Sequence, residues 1–87
     1  MMVLATGFDA AFLGVARRCG QTDLAVYSIQ KAITVLRDRD GMSEAEAREY
    51  LEFNSIGAWL GEGTPIWLER CTVSDLAEIY GSDGAVH

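Results

Sequence analysis

The chain has 87 residues, 49 % of them apolar, with 7 basic and 13 acidic side chains and a formal net charge of −6. This length fits one domain with a thin core, and the apolar share is too high for a disordered segment. The acidic balance disfavours nucleic acid and anionic membrane as partners, since both call for neutralising positive charge. It suits a protein partner with a basic surface; solubility alone is the plainer explanation.

Residues 1–81 read as a single globular domain and 82–87 as a flexible tail. No apolar run approaches the ~20 residues that span a bilayer. The start, MMVLATGFDAAF, has no basic segment and soon meets Asp9, a poor match to a signal peptide. The expected location is the cytoplasm, where Cys19 and Cys71 are reduced thiols. They lack the close spacing of a metal site, and their default role is that of small buried hydrophobes.

In chain order, a first helix is expected over Gly7 to Cys19. Thr6 and Asp9 fit a capping pattern, and Phe8, Phe12, Val15 and Cys19 form one stripe. Arg17 and Arg18 fall in its last turn and Gly20 just beyond it. Leu24 to Tyr27 reads as a short strand. A second helix runs from Ile29 to Arg39, capped by Ser28, lined inward by Ile29, Ala32, Ile33 and Leu36, and stopped by Gly41. A third begins after Ser43, which with Glu46 makes a capping box. Its inner face is expected to hold Ala47, Tyr50, Leu51, Phe53 and Asn54, its outer face Glu44, Arg48 and Glu52. Arg48 stands four residues from both glutamates, a spacing worth about 0.2–0.5 kcal/mol per pair.

Asn54 interrupts the apolar stripe. As a core amide it would bond backbone in the 57–64 turn; as a pocket residue it would face a ligand. Trp59 turns inward if the helix ends near Gly57, the favoured reading, and is an exposed aromatic if the helix continues. Gly61 and Gly63 break regularity, and Thr64-Pro65 starts an extended segment. Ile66 to Glu69 forms a strand pairing with Leu24 to Tyr27, Trp67 and Glu69 on one side, Ile66 and Leu68 on the other. Thr72 with Asp75, or Ser74, caps a short last helix through Tyr80 that Gly81 ends. The expected fold is therefore α+β: three main helices, a two-stranded β ribbon and a short C-terminal helix.

The residues suggest no catalytic constellation, no metal site and no cofactor. The single histidine, His87, is the final residue, which leaves no base for a Ser or Cys nucleophile and no zinc ligand. Gly61-Glu62-Gly63-Thr64 precedes a strand and lacks the lysine of a phosphate loop. Asp38 to Gly41 lacks the later ligands of a calcium loop. Glu46, Glu49 and Glu52 form an acidic helix edge, in the first instance a solvated one.

The segment from Tyr27 to Leu68 resembles a family of small uncharacterised phage and prophage proteins with a GMSxxEAxEYxxFNxxGAWxGExTPI pattern. The match runs through Gly41, Met42, Ser43, Glu46, Ala47, Glu49, Tyr50, Phe53, Asn54, Gly57, Ala58, Trp59, Gly61, Glu62, Thr64, Pro65 and Ile66, and departs at Ala45 and Ser28. The resemblance implies phage origin and no particular reaction. Small acidic phage proteins are often stoichiometric inhibitors of host defence, anti-CRISPR proteins among them. The expected function is accordingly non-enzymatic inhibition of a host protein. The expected contact residues are Glu49, Glu52 and Glu62 for electrostatic steering and Trp59 or Trp67 as aromatic anchor. The alternatives are a homodimer with a regulatory or scaffolding role in the phage cycle, and a small-ligand binder or enzyme using Asn54, Trp59 and Glu62.

Overall fold

The computed structural model describes residues 2–80. A 3-10 turn, Asp9–Ala11, leads into β1 (Phe12–Ala16), followed by β2 (Leu24–Ser28), α1 (Ile29–Asp40), α2 (Glu44–Leu51), β3 (Ile66–Leu68) and α3 (Val73–Tyr80). The strands form one sheet in the order β1-β2-β3. β1 is antiparallel to β2, and β3 is parallel to it.

The composition is α+β, but the expected two-stranded ribbon with three main helices is corrected to a three-stranded sheet with three helices. The error lies in the first element. No helix spans Gly7 to Cys19; that stretch supplies the 3-10 turn and β1. The spacing of Phe8, Phe12, Val15 and Cys19 imitates a helical stripe, yet only Phe8 is buried. Phe12, Leu13 and Val15 suit a strand, and Gly14 occupies φ +151, outside any helical conformation. Pairing with β2 decides the matter: Val15 faces Ala25 and Ala16 faces Leu24, with a bulge between Phe12 and Gly14.

The other elements follow their local signals. The Lys31 N–H donates to Ser28 Oγ at 3.1 Å, capping α1, and Gly41 closes it at φ +69, its N–H donating to Arg37 O. Ile29, Ala32, Ile33 and Leu36 are buried as their spacing requires. Ser43 and Glu46 exchange the two capping-box bonds at 3.1 and 3.0 Å. Thr72 and Asp75 make the same reciprocal pair at the start of α3. Gly81, expected to end that helix, and the 82–87 tail with His87 lie outside the described residues.

α2 departs from expectation at its C-terminal end. After Leu51 the chain widens into a π turn over Glu52–Ile56, closed by the Gly57 N–H on Glu52 O at 3.1 Å. Ala47 and Leu51, four residues apart, set the buried face, and Phe53, two residues past Leu51, falls on the opposite side. Ala47 and Leu51 are buried, but Tyr50 is exposed and Phe53 is 78 % exposed, not part of the core. Arg48 does not pair with Glu44 or Glu52; its Nη1 lies 3.5 Å from Glu69 Oε1, tying α2 to the end of β3.

The core is built around Tyr27, 1 % exposed. Its ring stacks on Trp67 (centroids 5.3 Å apart) and meets the edge of Phe12 (5.5 Å), while Phe8 stands perpendicular to Trp67 at 5.7 Å. The Ala5 N–H donates to the Tyr27 hydroxyl at 2.9 Å, which anchors the N-terminal segment. Arg39 lies over the Phe8 ring and donates to Gly7 O at 3.0 Å. Cys19 and Cys71, expected inside, are both exposed.

Candidate interaction surface

The strand alternation of β3 turns Trp67 toward Tyr27 and leaves Ile66 and Leu68 exposed. Trp67 is therefore half-buried in the aromatic core, and Trp59 is the more exposed of the two tryptophans. The loop bearing that second tryptophan is held by one hydroxyl. Thr64 Oγ1 donates to Gly61 O at 2.6 Å and accepts from the Leu60 N–H at 2.7 Å, while Gly61 turns the chain at φ +96. The Val3 N–H donates to the buried Gly63 carbonyl at 3.0 Å and fastens the loop to the N-terminal segment.

The helix ends near Gly57, but Trp59 does not turn inward: it is 75 % exposed. It lines a groove of about 670 Å³ together with Glu62, with Arg17 and Arg18 just past β1, and with Leu24 and Ile66. Two of the five expected contact residues, Trp59 and Glu62, are thus brought together. Arg17 and Arg18, expected in the last turn of a helix, instead follow β1, and the signal for this is the run of strand-forming residues preceding them. Arg17 is held by Asp23 at 3.4 Å, both side chains largely in solvent.

A second surface lies along α2 and the π turn. Glu46, Glu49, Tyr50, Phe53 and Asn54 line one shallow hollow, and Glu52 is exposed beside it in sequence. Phe53, counted for the core by its spacing, is instead the most exposed aromatic of the described residues. Asn54 is neither a core amide bonded to the 57–64 turn nor a buried pocket residue. It is exposed, and its Nδ2 donates to Tyr50 O at 3.0 Å within its own turn. The acidic edge also shows why one of its carboxyls titrates low. Glu46 is held below the usual glutamate range by the Ser43 backbone N–H, then by the Ser43 hydroxyl.

Among the described residues, no group of three or more His, Cys, Asp or Glu is placed to hold a metal ion. No helix among them is long and apolar enough to cross a membrane. No known family, curated protein or solved structure matches the chain.

Proposed function

We propose that this protein acts by binding, without catalysis, as a small phage-derived inhibitor of a host protein in the host cytoplasm, of the anti-defence (anti-CRISPR-like) kind. The observation that carries the reading is the pairing of bare aromatic rings with carboxylates. Phe53 stands beside Glu46 and Glu49, and Trp59 shares a groove with Glu62. Exposed aromatics are costly to leave in water, and they supply much of the energy at protein contacts. Carboxylates around them accelerate capture of a basic partner, an effect that salt weakens.

The test starts from proteins retained from host lysate by the immobilised chain and then titrates the purified candidate. Binding should fall with salt, and should fall further with Trp59→Ala, Phe53→Ala or the double reversal Glu49→Lys, Glu52→Lys. Indifference to salt and to all three variants would remove both surfaces from consideration.

A homodimer serving the phage cycle is the second reading, favoured by a separate observation. Leu13, Ile66 and Leu68 are exposed on the strands, and Leu13 and Leu68 share a hollow beside Ser28.

A further inference from the structure

We infer that β1 is a self-pairing edge, and that two copies of this chain join β1 to β1 in antiparallel fashion to make one six-stranded sheet. The sheet order leaves β1 with a neighbour on one side only. Among the described residues, no backbone hydrogen bond reaches its other side. Alternate N–H and C=O groups of an edge strand point outward and form a ready template for another strand. Natural edges are commonly blunted by lysine, proline, an inward charge or a bulge; Phe12–Ala16 has no charge and no proline. Its one irregularity is the bulge between Phe12 and Gly14; from Gly14 to Ala16 the register is regular. The other edge, β3, is only three residues long.

Charge selects a second copy as the occupant. Residues 10–16 carry no charge, so the net charge of −6 does not oppose approach along the strand. The flanks differ in sign: Asp9 precedes β1, and Arg17 and Arg18 follow it, all exposed. A two-fold axis centred on Gly14 sets the N-terminal flank of each copy against the C-terminal flank of the other. Asp9, in the 3-10 turn just before β1, and Arg18, two residues past its end, are thereby brought to the same end of the pairing, and the symmetry makes the approach twice. Arg18 is free for this, having no ion pair among the described residues, whereas Arg17 is held by Asp23. The same pairing covers Phe12, Leu13 and Val15, which are 43, 45 and 47 % exposed in the single copy. Self-pairing gives the homodimer reading a specific interface, and it is tested apart from host-protein capture, which Trp59→Ala reads.

The experiment is sedimentation equilibrium of the full chain over a concentration series, with circular dichroism as a check on folding. The wild type should show a reversible species of twice the 9.5 kDa chain mass. Val15→Lys should remain monomeric with an unchanged spectrum. Arg18→Asp should weaken association several-fold, and Asp9→Arg combined with Arg18→Asp should recover it. A wild type that stays monomeric overturns the proposal. So does a dimer that ignores Val15→Lys, or one whose charge-swapped double variant associates no better than Arg18→Asp alone.

Discussion

The backbone N–H of Gly57 donates to the carbonyl oxygen of Glu52 at 3.1 Å, and a Cβ placed on Gly57 would stand 2.7 Å from that same oxygen. The π turn over Glu52–Ile56 therefore closes only around a residue without a side chain. Gly57→Ala must open the turn or displace backbone, and overpacking of this kind costs about 1–3 kcal/mol. A lowered thermal midpoint is expected; a melt identical to wild type would rule the π closure out.

The Tyr27 hydroxyl is the only partner found for the Ala5 N–H among the described residues. Tyr27→Phe keeps the stacked ring and removes that acceptor. Loss of a partner from a part-buried group costs roughly 1–3 kcal/mol. The expected result is a less stable protein in which the amide of Ala5 exchanges faster, read by hydrogen exchange. Unaltered exchange at Ala5 would mean that the tie is not made in solution.

Glu46 and Asp75 both titrate below their ordinary values, Glu46 chiefly through the Ser43 backbone N–H and Asp75 chiefly through that of Thr72. A depressed folded-state pKa means that the unfolded chain holds the proton more tightly. The stabilisation is then present above the ordinary carboxylate range and lost as pH falls through the folded values. Glu46→Ala should melt below wild type near neutral pH, and the gap should close on acidification. A gap constant with pH would show that the carboxylate charge plays no part in the cap.

The two tryptophans offer a spectroscopic check, because one stands 75 % exposed and the other is stacked on Tyr27. Trp59→Phe should leave a blue-shifted emission poorly quenched by acrylamide, and Trp67→Phe a red-shifted emission readily quenched. Stability should separate them as well. Substitution at exposed Trp59 is expected to change it by no more than about 0.5 kcal/mol, whereas Trp67→Ala should cost about 3–5 kcal/mol at most, less in proportion to its partial exposure.

How far the fold can be read from residues depends on how local the deciding interactions are. Ser28, Gly41 and the Ser43–Glu46 pair act within one turn of their helices, and their spacing announces α1 and α2. The same holds for Thr72 and Asp75 at α3. β1 is different. Phe8, Phe12, Val15 and Cys19 satisfy a helical period by coincidence, and only the distant partner β2 distinguishes strand from helix. Gly14 within the supposed helix is the one local warning. The candidate site divides in the same way. Trp59 and Glu62 stand out by type and by the glycines around them. Phe53 is misread because it stands three residues after Tyr50, whereas the face that is buried is the one set by Ala47 and Leu51, and Phe53 lies opposite it. Arg17 and Arg18 are misread along with the element that carries them.

Parallel pairing of β2 with β3 also orders events in time. Phe12 reaches Tyr27 across a short hairpin, but Trp67 reaches it only after α1 and α2 have been made. At about 5–20 residues per second, the intervening stretch of about forty positions takes ~2–8 s to synthesise. Throughout that interval the β2 flank reserved for β3 has no partner, and Tyr27 lacks the ring that stacks on it. Released chains truncated before Ile66 should thus be cut readily by protease within β2, and the full-length chain should resist.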